Sequence, residues 1–112
     1  MTDDKHEDVV AEYGQEVTLE CNTMDKKFDY VEWFRNDSSY PVIQRLEDYN
    51  PLVSTNFTSR AELKEKNLHL KHIKFEDAAV YVCRTAVRHG EEDVSVQHGT
   101  FWKLIVKHEG EF

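Results

Sequence analysis

Asp77-Ala78-Ala79-Val80-Tyr81-Val82-Cys83, residues 77 to 83, is the stretch from which the rest of the chain is read. Alternation puts Tyr81 and Cys83 on one side of a strand and Val80, Val82 and Arg84 on the other, and the run continues to Val87. The same two-residue period recurs on either side of it. Val17, Leu19 and Cys21 alternate with Glu16, Thr18 and Glu20. Tyr30 to Arg35 carries Val31 and Trp33 on one face and Glu32 and Phe34 on the other. Pro41-Val42-Ile43 opens a short run whose proline suits a strand start or an edge. Phe57 to Leu63 and Asn67 to Ile73 flank the charged turn Lys64-Glu65-Lys66. The last run, Val96 to Val106, is separated from Val87 by the polar segment Arg88 to Asp93 with Gly90. Many short strands spaced by turn signals predict an antiparallel sandwich or barrel.

The 112 residues fit one domain. A net charge of −8, with 39% hydrophobic and 32% charged residues, requires most apolar side chains to point inward. No apolar run approaches the 18 or so residues of a membrane span. The acidic balance offers no basic stripe for phosphates, which excludes nucleic acid as the expected partner. Cys21 and Cys83 are 62 residues apart, a spacing that suits neither a redox pair nor a tetrathiolate zinc site. Two unrelated buried thiols or one bridge closing a long loop remain open. Asn36-Asp37-Ser38 and Asn56-Phe57-Thr58 are glycosylation acceptors and favour an extracellular, oxidising setting. Met1-Thr2-Asp3-Asp4 lacks the apolar core of a signal peptide. It reads as an added start on a mature fragment, and His108 to Phe112 as linker or vector-derived sequence.

Cys21, then Trp33 twelve residues later, then Asp77 to Cys83 with Leu68-x-Leu70-x-x-Ile73 before it, resembles the immunoglobulin superfamily and its variable-type domain. The resemblance covers residues 9–106, leaving 1–8 as an N-terminal extension and 107–112 as a tail. It implies an all-β, two-sheet antiparallel sandwich with one inter-sheet disulfide between Cys21 and Cys83. Trp33 is then the tryptophan packed against that bridge, and Tyr81 the tyrosine of the corner motif. Leu70 belongs to the core signature, and Arg60 with Asp77 resembles the family's ion pair at one end of the sandwich. Gly99-Thr100-Phe101-Trp102-Lys103-Leu104 resembles a joining-segment-like last strand, with Trp102 in the place of the usual leucine and Gln97 where a further glycine is usual. That departure leaves the shape of the usual bulge in question.

No nucleophile elbow, zinc-protease motif or phosphate loop is present, so an enzyme and a cofactor are not expected. His69 and His72, three apart on one run, are expected to face opposite ways. His89 and His98 read as solvated hairpin residues, and no metal is expected. Binding is the remaining class. With Trp33, Tyr81 and Trp102 inward, one outer face displays Phe34, Val82, Phe101 and Ile105. Its expected border is Glu32, Arg84 and Lys103, an apolar centre with a charged rim, with Glu32 and Arg84 within reach of an ion pair. Asn36 is expected at the far end of that face, where a glycan would direct contacts towards the loops. Three loops, Thr23 to Asp29, Leu46 to Thr55 and Arg88 to Gln97, add Tyr49, Arg88, His89, Glu91, Glu92 and Asp93 as contact candidates, with Tyr40 as a further candidate anchor. The acidic trio would steer a basic partner.

Within the superfamily the chain resembles single-V-domain immune receptors, the natural cytotoxicity and novel immune-type receptor groups. That implies the ectodomain of a type I plasma-membrane protein binding a protein on another cell. A junctional or homophilic adhesion domain and a secreted, non-rearranged antigen-binding molecule are the alternatives. The displaced second cysteine of sialic-acid-binding V domains is not seen here, because Cys83 is in place.

Overall fold

The structure is a computed structural model that describes residues 6–108. The strands are β1 (Glu7–Glu12), β2 (Val17–Leu19), β3 (Tyr30–Arg35), β4 (Pro41–Leu46), β5 (Leu52–Val53), β6 (Ala61–Lys64), β7 (Asn67–Leu70), β8 (Ala79–Arg88), β9 (Val94–His98) and β10 (Trp102–Lys107). They form two sheets. The larger runs β1-β10-β8-β3-β4-β5 with β9 also on β8, and the smaller runs β2-β7-β6. All pairs are antiparallel except β1 with β10, which is parallel. That pairing departs from a purely antiparallel sandwich, because β1 crosses to the larger sheet beside the last strand. β1 takes in Glu7 and Asp8, within the stretch read as an extension. Residues 1–5 of that stretch and 109–112 of the tail lie outside the described residues.

The core lies between the sheets. Trp33, Tyr81, Leu68, Leu70 and Cys83 are fully buried, with Leu19, Ile43, Ile73 and Leu104 at 1% exposure. Cys21 and Cys83 are bonded across the sandwich with Cα atoms 5.7 Å apart. The Trp33 indole N–H donates to Lys66 O at 2.9 Å, which satisfies the one polar atom of that ring in an apolar setting. At one end of the sandwich, Arg60 donates to both Asp77 oxygens at 2.8 and 3.0 Å, and the Tyr81 hydroxyl donates to Asp77 O at 2.6 Å.

Several local expectations change. Residues 57–60 are not strand: Thr55–Phe57 is a 3₁₀ turn that buries Phe57, and β6 starts at Ala61. The run Val96 to Val106 breaks at Gly99-Thr100-Phe101. Gly99 crosses the disulfide there; a Cβ on it would sit 2.5 Å from Cys83 Sγ, so only glycine fits. Phe101 therefore belongs to no strand, and Trp102 is half-buried with its indole N–H on Glu20 O. β7 ends at Leu70, so His72 is off the strand, at φ +52°. His69 is buried instead, between Thr18 Oγ1 at 2.8 Å and Glu16 Oε1 at 2.7 Å. Lys66 is no solvated tip: its ammonium donates to Thr23 O, Thr23 Oγ1 and Asp25 O and ties down the β2–β3 loop.

Candidate functional site

The outer face of the larger sheet is built rung by rung from strand register, since directly paired residues share a face. Its first rung, nearest the loops, is Val96–Ala86–Tyr30–Leu46 across β9, β8, β3 and β4. The second is His98–Arg84–Glu32–Gln44–Leu52, reaching β5. The third is Val82–Phe34. Lys103 pairs with Val80 at the far end, roughly 13 Å along β8 from Arg84.

Charge sits in the middle of this face and apolar surface at its loop end. Glu32 is not a rim residue: it is only 2% exposed. Arg84 caps it from outside with an ion pair through Nη2 and Oε2, and lies over the Phe34 ring at 5.0 Å. The Tyr30 hydroxyl donates to the other Glu32 oxygen and lies 2.7 Å from the Gln44 side-chain oxygen position. One hydroxyl proton serves one acceptor, so the Gln44 amide is best turned with its NH₂ towards the phenol. Burial, and then the bond to Glu32, push the Tyr30 phenol well above its usual range. The outcome is a neutral, internally satisfied patch that costs little to cover, flanked by an arginine 40% exposed at its side chain.

The apolar surface lies elsewhere than expected. Phe34, beneath Arg84, and Val82 are half-buried, whereas Leu46, Leu52, Val94 and Val96 are 49–68% exposed. Leu46 and Val96 stand at the two ends of the first rung, which holds no charged residue. Sequence reading missed these four as members of the face, although all four fall in the segments flagged as loop edges. The signal lay in the pairing partners, Tyr30 with Leu46 and Ala86 with Val96.

Above the first rung, β8 and β9 form a hairpin whose tip is residues 89–93. It is held by His89 N to Asp93 O at 2.7 Å and by His89 Nε2 with Ser95 Oγ at 2.8 Å. Arg88 is exposed, with its N–H on Asp29 Oδ2 at 2.6 Å, so this hairpin and the β2–β3 loop are tied together. Glu91, Glu92 and Asp93 are exposed at the tip. Tyr49, 67% exposed, stands on the β4–β5 loop at the same end. Tyr40 is 75% exposed but directly precedes β4, at the opposite end. The structure thus groups Glu32, Phe34, Val82 and Arg84, and Arg88 with the acidic tip, while Phe101, Lys103 and Tyr40 stand apart. Asn36 falls past the end of β3, exposed, its side-chain oxygen 3.4 Å from Val80 N, and Asn56 is exposed in the 3₁₀ turn.

The sequence profile of the immunoglobulin V-set domain matches residues 4–105. The chain belongs to the immunoglobulin V-set family. V-set domains are typically extracellular, disulfide-bonded binding domains of cell-surface receptors, and typically non-enzymatic. No curated protein sequence matches the chain when compared one by one. Among solved structures, the V domain of amphioxus IgVJ-C2 is similar at TM-score 0.73 and 20% identity, covering 88% of this chain and 99% of that one. The first Ig-like domain of human CD48 antigen is similar at TM-score 0.76 and 17% identity, over 96% of this chain and 86% of that one. Murine CRIg is similar at TM-score 0.73 and 14% identity, over 90% and 92%. At these identities the likeness is one of fold.

Proposed function

We propose that this V-set domain is the ligand-binding ectodomain module of a cell-surface innate immune receptor. It recognises a protein on another cell through the loop end of its larger sheet. The observation that carries this reading is the exposed apolar rung Val96–Ala86–Tyr30–Leu46, placed between the acidic 89–93 hairpin and the loop bearing Tyr49. An apolar strip beside polar groups that are already satisfied is an interface that desolvates cheaply. The acidic tip favours a basic partner surface. In this reading Asn36 and Asn56 carry glycans, and the domain belongs to a type I membrane protein. Both asparagines are exposed and lie away from the loop end, so glycans there leave the first rung open.

The test is staining of ligand-bearing cells with the multimerised domain. Leu46→Asp is expected to reduce binding by about tenfold or more, since a charge in the strip leaves it unpaired under the partner. Replacing Arg88 to Asp93 with a glycine-serine loop is expected to abolish staining. Full staining by both variants would refute recognition at this end.

A further inference from the structure

β9 has one partner. It pairs with β8 on one side, and no described strand lies on its other side, because β1 begins only at the level of Phe101 and Trp102. The parity of that open edge follows from its ladder. Gly99 N bonds to Cys83 O and His89 N to Asp93 O, so the odd residues of the register exchange hydrogen bonds with β8. The N–H and C=O groups of Val94, Val96 and His98 therefore face the open edge, with Val94 and Val96 also half-exposed at their side chains. The strand Val94-Ser95-Val96-Gln97-His98 contains no lysine, proline or bulge to blunt it.

We propose that this edge pairs with the same edge of a second copy, antiparallel and centred on Val96. In that register Val96 faces Val96 of the other copy and Val94 faces its His98, so all three edge-facing residues of each chain meet edge-facing residues. Every open N–H finds a carbonyl. Charge disfavours registers centred nearer the hairpin tip. Asp93 and Glu92 of each copy come alongside the partner's Gly99 and Thr100, short of the start of β1 at Phe101, with the two Asp93 residues roughly 20 Å apart. A register centred on Val94 would bring the two Asp93 residues within roughly 7 Å and the two Glu92 residues within roughly 13 Å of each other along the strands, which the net charge of −8 makes worse. The twofold axis is normal to the sheet, so both outer faces look the same way. The two rungs Leu46–Tyr30–Ala86–Val96 then join end to end into one apolar strip across eight strands. The edge pairing stands on backbone parity and charge alone and does not rest on the receptor reading.

Sedimentation equilibrium of the 112-residue chain between about 10 μM and about 1 mM, with amide hydrogen exchange across the same range, tests it. A monomer–dimer equilibrium is expected, with the Val94, Val96 and His98 amides exchanging more slowly as concentration rises. Val96→Pro removes an N–H that β8 does not use, so it is expected to weaken the dimer about tenfold or more. Val96→Lys keeps the backbone and sets two ammonium groups against each other; it covers the case in which the proline variant fails to fold, and it too is expected to weaken the dimer. A monomer at every concentration overturns the proposal, as does concentration-independent exchange at the three amides. A dimer lost in Phe34→Asp but kept in Val96→Pro would be face-to-face and also overturns it.

Discussion

Replacing Asp77 with alanine tests how the sandwich is closed at the end away from the binding loops. The Asp77 carboxylate is 2% exposed and accepts two N–H groups of Arg60 and the N–H of Lys74, at 2.8 to 3.0 Å. Its removal leaves a guanidinium that is only 8% exposed without its counter-charge. Three carbonyls, Asn56, Lys71 and His72, still accept from that guanidinium, and the Phe57 ring lies 5.0 Å beneath it. They solvate the cation in part but do not neutralise it. Breaking a buried pair on one side costs about 3–5 kcal/mol, a large share of a stability of about 5–15 kcal/mol. With a urea slope of about 1.5 kcal/mol per molar, the midpoint is expected to fall by about 2–3 M. The double variant Arg60→Met/Asp77→Leu removes both charges and is expected to lie closer to the parent than Asp77→Ala does. A cycle closed with Arg60→Met alone then gives a coupling of about 2–3 kcal/mol. Cell binding per folded molecule is expected to stay unchanged, because the clamp lies at the far end from the first rung. A midpoint shift below about 0.5 M for Asp77→Ala, or strict additivity in the cycle, would refute the reasoning.

Further outcomes follow from the same geometry. Gly99→Ala drives a Cβ to 2.5 Å from Cys83 Sγ and is expected to cost about 1–3 kcal/mol by denaturant unfolding. Replacing both Cys21 and Cys83 by alanine opens a loop of 62 residues and is expected to cost about 4 kcal/mol in the same assay. Tyr81 is fully buried, and burial pushes its phenol well above the usual range, so the unfolded chain releases this proton first as pH rises. Stability present below about pH 10 is therefore lost above it, at about 1.4 kcal/mol per pH unit. Tyr81→Phe is expected to flatten that slope, leaving the contribution of Tyr30 in the same direction. Asn36→Gln and Asn56→Gln are each expected to remove one glycan mass from the secreted domain by mass spectrometry.

Alternation and the order of a few large residues sufficed for the layers. Trp33, Tyr81, Leu68 and Leu70 read as inward from their neighbours alone, because a strand has only two faces and one must be dry. The disulfide followed from the order Cys21, Trp33, Cys83 once the resemblance was in view. Strand breaks were less legible. The bend at Gly99 arises from the sulfur beneath it, and the buried 3₁₀ turn at Phe57 from the core its ring joins, contacts between residues distant in sequence.

The candidate site divides in the same way. Which residues face outward on β3 and β8 is a property of each strand, so Glu32, Phe34, Val82 and Arg84 were visible from the chain itself. How exposed each one is depends on what lies across the rung. Glu32 disappears beneath Arg84 and Tyr30, and Phe34 beneath Arg84, whereas Leu46 and Val96 stand exposed at the two ends of a rung that holds no charged residue. Local sequence fixes the direction of a side chain through backbone periodicity. Its environment comes from the register between strands, which turns and tertiary packing set together.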